Sequence, residues 1–145
     1  MEPPMPIIYD SYIPREALRA SPLSFFVFGD NVARRGYGGQ AAAMRGEPNA
    51  IGIATKWLPS NTPDAFFRDG DPSARIFLLA ELNRLASIYR TGADIHVPAA
   101  GLGTGLSHLP ETAPRLYALL YHFFQALSDD PCPWPKPSAA APQEA

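Results

Sequence analysis

Cysteine, histidine and lysine are all scarce in this chain, and each shortage removes a class of chemistry. Cys132 is the only cysteine, which excludes an internal disulfide and any cysteine-rich metal site and makes a reducing compartment the natural setting. The three histidines, His96, His108 and His122, do not fall at metal-ligand spacing, so neither a metal nor another cofactor is expected. Ser107 and His108 are adjacent and lack a nucleophile elbow, which leaves a Ser-His-Asp hydrolase without support. No apolar run approaches the roughly 20 residues of a membrane span. The opening stretch Met1 to Pro6 is acidic and proline-rich rather than basic and then apolar. A cytoplasmic protein with no membrane partner is the expectation. The formal net charge of −2 and the pI near 5.9 speak against an extended nucleic-acid surface, so any such contact is expected to be local.

What is present fits one domain. The 145 residues are 46% apolar, enough for one buried core. From Asp129 the chain reads Asp-Asp-Pro-Cys-Pro-Trp-Pro-Lys-Pro, where closely spaced prolines forbid helix and ladder hydrogen bonds. The expected organisation is an N-terminal arm (1–20), an α/β core (21–128) and a Pro-rich flexible tail (129–145) that adds little to stability.

Within the core, Ser24–Phe28, Ala50–Ala54 and Asp94–Pro98 are short runs of strand-forming residues bounded by turn formers. Ile7–Tyr9 reads as a fourth, edge strand. Asp71 and Pro72 open a helix in which Leu78, Leu82, Leu85 and Tyr89 recur at helical spacing until Gly92. A second helix from near Thr112 carries Leu116, Leu119, Leu120, Phe123, Phe124 and Leu127 on a broad apolar stripe. A short third helix spans Gln40–Arg45. Strands alternating with helices predict a three-layer α/β fold, a mainly parallel sheet flanked by helices, and such sheets bind ligands beyond the carboxyl ends of their strands.

Those ends carry the least ordinary residues in the chain. After the first core strand comes Gly29-Asp30-Asn31-Val32-Ala33-Arg34-Arg35-Gly36-Tyr37-Gly38-Gly39-Gln40. Glycines let backbone N–H groups approach a diphosphate or ribose closely, although a tight turn closed by local Asp and Asn hydrogen bonds has the same signature. After the third comes Ala99-Ala100-Gly101-Leu102-Gly103-Thr104-Gly105-Leu106-Ser107-His108, three glycines at alternate positions, the material of an anion-binding nest. It is neither a Walker A loop nor a dinucleotide fingerprint. After the second stands Thr55-Lys56-Trp57. Only Lys56 and Lys136 are lysines, and Lys136 belongs to the tail. The core's one ammonium therefore sits where the sheet geometry predicts a ligand, and lysine is the cation that burial can turn into a nucleophile. A phosphate contact is the competing role. Of the histidines, His96 reads as a satisfied structural residue and His108 as the one possible ligand contact.

Ala54-Thr55-Lys56-Trp57, followed after a long helix by Ile95-His96-Val97-Pro98-Ala99-Ala100-Gly101-Leu102-Gly103-Thr104-Gly105-Leu106-Ser107-His108-Leu109, resembles the macrodomain branch of terminal ADP-ribose glycohydrolase and the antitoxins that remove ADP-ribose from DNA. The Phe28-Gly29-Asp30-Asn31 opening looks like small bacterial and phage macrodomain-like proteins beginning with Phe-Gly-x-Asn. The resemblance covers roughly residues 25–127 and implies a reduced macrodomain-like core. It implies that Lys56 attacks the anomeric carbon of the distal ribose, that Gly101, Gly103, Thr104 and Gly105 hold the diphosphate, and that Asn31, Gly38 and Gly39 receive the distal ribose. Gln40 and Ser107 close the two loops and are included as ligand contacts. Where the glycohydrolase carries an acid, this chain has Gly105, Leu106 and Ser107. Asp30, by its position, is the candidate acid/base. The expected activity is removal of ADP-ribose from a modified nucleic acid or protein. The alternative is a module that binds ADP-ribose or a related nucleotide without turnover.

Overall fold

A computed structural model describes residues 7–138. Four strands, β1 (Ile7–Asp10), β2 (Phe25–Asp30), β3 (Ala50–Ala54) and β4 (Ile95–Pro98), form one sheet in the order β1-β4-β2-β3. Every neighbouring pair is parallel, so all carboxyl ends meet at one edge. The α/β class expected from the alternation of elements is what the chain adopts, and Ile7 pairs with Ile95 on the edge strand.

Side chains alternate along β2 and separate two cores. Val27 joins Ile51, Ile53, Ile95 and Val97 beneath α3 (Pro72–Tyr89) and α5 (Pro114–Leu127). Phe26 and Phe28 face the other way, onto Leu18 of α1 (Arg15–Ala20) and Ala41 and Met44 of α2 (Ala41–Met44). Helices thus cover both faces. The predicted start of α3 is met in detail, because the Asp71 side chain accepts from the Ser73 N–H at 2.9 Å with Pro72 at the first helical position. The single-turn helix α4 (Leu109–Thr112) precedes α5. No helix among the described residues is long and apolar enough to cross a membrane.

The expected division into arm, core and tail needs two corrections. The arm supplies, besides the expected edge strand β1, the helix α1, whose Leu18 joins α2 in covering the second face. The tail, as far as Ser138, packs on the fold: Trp134 is 2% exposed, its Nε1 donates to the Pro98 carbonyl at 2.9 Å, and its ring lies 4.8 Å from that of Phe124. Cys132 is buried beside it, and the Tyr117 hydroxyl donates to the Pro135 carbonyl. Proline spacing forbids ladder bonds but not burial of the side chains between the prolines. Residues 139–145 lie outside the described region.

Strand β3 ends the sheet, and side chains occupy its outer side. Glu81 of α3 accepts from the Ala54 N–H at 3.1 Å, while Arg34 and Arg84 donate to the Gly52 carbonyl at 3.2 and 2.9 Å. Between β2 and β4 the ladder covers only Phe25↔Ile95 and Phe26↔His96. Beyond that point one side chain takes over: Gln40 Oε1 accepts from Gly29 N–H at 2.7 Å and its Nε2 donates to the Gly101 carbonyl at 2.8 Å. The two Gly-rich loops are tied together there.

Candidate functional site

At the strand ends the loops enclose a cavity of about 290 Å³, walled by Asp30, Asn31, Gly38, Lys56 and Ser107 together with Arg35, Arg45 and Leu106. A smaller cavity of about 100 Å³ adjoins it, lined by Gly29, Gly38, Gly39, Gln40, Gly103, Gly105, Leu106 and Ser107. The loops expected to share one cleft do border both spaces.

Lys56 follows β3, and its backbone forms an isolated antiparallel bridge with Phe66. Its residue is 6% exposed. The ammonium donates to the Leu106 carbonyl at 3.3 Å and lies 4.8 Å from the centre of the Phe66 ring. Among the described residues it has no carboxylate within ion-pair distance. Burial without an anion disfavours the charged form and lowers its pKa.

Asn31 is also 6% exposed, and its Nδ2 donates to the Arg35 carbonyl at 2.8 Å. Its Oδ1 is buried without a partner. An unpaired buried acceptor on a cavity wall is free to take a hydroxyl or N–H from a ligand. Ser107 presents a third polar group: its Oγ lies 2.7 Å from that of Thr55, a buried pair that fixes the hydroxyl at the wall.

Two expected residues do something else. Thr104 lines neither cavity; its Oγ1 donates to the Ala100 carbonyl at 2.9 Å and its side chain covers Gly101. Gly101 is buried at φ 116°, a conformation that suits glycine, and supplies the carbonyl that Gln40 grips. Both brace the loop. Gly103, at φ 72°, is packed so closely that an added Cβ would stand 3.0 Å from Leu109 and 3.1 Å from Thr55, and the residue lines the smaller cavity. His108, the one histidine placed to be a ligand contact, borders neither cavity and lies against Phe66, ring centres 5.9 Å apart. His96 is satisfied structurally, with Nδ1 2.7 Å from Asp10 Oδ2 and its ring stacked on Phe26.

Asp30, expected as acid/base, has both oxygens engaged. It receives Arg45, Arg34 and the Asn31 N–H, the last at 2.8 Å. Clasped by two guanidiniums, this carboxylate ties its own loop to the end of the short helix. Sequence reasoning missed Arg45. It ends the short helix, donates to the Gly36 carbonyl at 2.6 Å and stacks over Phe28 at 5.5 Å, contacts that only the tertiary fold creates. No group of three or more His, Cys, Asp or Glu suited to a metal occurs among the described residues.

No curated protein and no solved structure matches the chain. One family model does, over residues 8–123, a stretch running from β1 into α5 and including both glycine loops and Lys56. The chain belongs to that family, described as a family of unknown function (DUF7831).

Proposed function

We propose that the cleft binds an ADP-ribose-type nucleotide and that Lys56 cleaves the glycosidic bond joining its distal ribose to a modified macromolecule. The observation that carries this reading is the buried Lys56 ammonium on the cleft wall, without a carboxylate partner among the described residues. A lysine so placed loses its proton more readily than one in water, and the free amine is a nucleophile. In the proposed reaction the Nζ lone pair attacks the anomeric carbon and the bond from that carbon to the macromolecule breaks. The departing carboxylate or base takes the electron pair, and the lysine nitrogen gives up a proton. Water then displaces the lysine from the anomeric carbon, releasing ADP-ribose and regenerating the amine. Asn31 Oδ1 accepts a ribose hydroxyl, and the N–H groups of the glycine loops face the diphosphate.

A binding module without turnover has one observation in its favour: the Leu106 carbonyl accepts from Lys56, which holds a protonated amine. The two readings part at Lys56→Arg, which keeps a cation but cannot attack carbon. Turnover of an ADP-ribosylated substrate is expected to vanish, while ADP-ribose affinity measured by calorimetry stays within about tenfold, or about 1.4 kcal/mol. Retained turnover removes Lys56 from the chemistry. Absence of ADP-ribose binding to the unaltered chain ends both readings.

A further inference from the structure

Five guanidiniums are threaded on three carboxylates along the open face beside β3. Glu47 pairs with Arg15 and Arg19, Asp30 with Arg45 and Arg34, and Glu81 with Arg34 and Arg84. The two halves join where Arg15 donates to the Arg45 carbonyl at 3.1 Å. The carboxylates are on the inside, with side chains 3%, 7% and 11% exposed for Asp30, Glu81 and Glu47. Of the guanidiniums, Arg19 and Arg84 stand furthest out, at 68% and 50%, with Arg34 at 39%, while Arg15 and Arg45 are more covered. The network carries two positive charges in excess within a chain of net charge −2, so the charges are segregated rather than mixed. Arg34, Arg45 and Arg84 also surround a hollow of about 230 Å³. Arg45 and Asp30 line this hollow and the cleft alike, so the two spaces share a wall.

We infer that this arginine face binds the phosphodiester backbone of a single-stranded nucleic acid and leads it to the cleft. Guanidiniums already oriented by buried carboxylates offer fixed forks of donors, the geometry that phosphate takes up. All the bonds of Arg84 run through its Nη2, so the rest of its fork faces outward. A single strand is favoured over a duplex because a base or sugar must leave the stack to enter a cavity of this size. The delivery to the cleft rests on the proposed glycohydrolase reading; the backbone contact does not.

The test is fluorescence anisotropy of the full chain with a labelled 12-nucleotide single strand and the matching duplex, at 50 and 200 mM NaCl. Single-strand binding that weakens with salt is expected. The double variant Arg19→Gln/Arg84→Gln leaves Glu47 and Glu81 one arginine each and Asp30 both of its own, and keeps the cleft wall intact. It is expected to lower affinity about tenfold or more and to reduce the salt slope by about 1.4, two contacts at about 0.7 each. The same double variant is expected to bind ADP-ribose in calorimetry as the unaltered chain does, since neither arginine lines the cleft, so failure of the cleft reading and failure of this one are distinguishable. The inference is overturned if no oligonucleotide binds, if the duplex binds as well as the single strand, if the double variant binds normally with an unchanged melting temperature, or if polyglutamate competes as well as unlabelled oligonucleotide.

Discussion

Lys56 stands apart on the cleft wall because its surroundings withhold bulk water and, among the described residues, a counter-ion. The Phe66 ring and one carbonyl are its partners, and neither matches the solvation an ammonium has in water. The sign of the consequence follows from linkage. Since the folded chain disfavours the charged form, the unfolded chain binds this proton more tightly between the lowered pKa and the ordinary value near 10.5. This group's contribution to stability therefore rises with pH through that window, and its full penalty is present below it. With only two lysines in the chain, lysine labelled with carbon-13 at Cε gives two assignable signals. The signal lost in Lys56→Arg is expected to titrate below 10.5; a midpoint at or above that value would mean water reaches the ammonium freely. The place of Lys56 on the cleft wall was legible from its position just after a strand, as the core's one lysine. The opposite held for Asp30, whose neighbours along the chain include Arg34 but give no sign that Arg45 arrives from the helix end to occupy its other oxygen.

At the scale of elements, α3 was readable because cap, proline, apolar period and glycine stop agree along one stretch, and β3 because a short run of strand formers is bounded by turn residues. The six-residue α1 was not. It has no side-chain cap and one buried residue, Leu18, so its helicity comes from lying on Phe26 and Phe28 rather than from a local signal. The tail misled for a related reason. Its prolines announce a segment without regular hydrogen bonds, while Trp134, which closes the end of the core between Tyr9 and Phe124, announces itself only through the partners it meets. Removing that ring is expected to cost about 3–5 kcal/mol, the usual range for a buried aromatic cut to alanine. Trp134→Ala in urea titration checks this, and a loss under about 1 kcal/mol would mean the ring contributes contact without stability.

For the whole molecule, parallel strands made the site's location legible before its contents, since every strand delivers its following loop to the same edge. Which side chains then converge depended on closures that no local pattern carries. The Gln40 amide bridges the glycine loops, and Ser107 meets Thr55 across 52 residues of chain. The outer side of β3 bears on how copies of the chain behave toward one another. A strand that ends a sheet is a template for another strand, and here the Ala54 N–H and the Gly52 carbonyl are already taken by Glu81, Arg34 and Arg84. The side chains act as a selvedge that keeps the sheet from being extended by a neighbour. Glu81→Leu unties it, leaving one backbone donor open and two guanidiniums without their shared anion, whereas Glu81→Gln retains an acceptor for Ala54. The leucine variant is expected to self-associate with rising concentration in sedimentation velocity while the glutamine variant sediments as the unaltered chain does. Identical sedimentation of all three would show that the strand resists pairing through its twist and length rather than through its occupied hydrogen bonds.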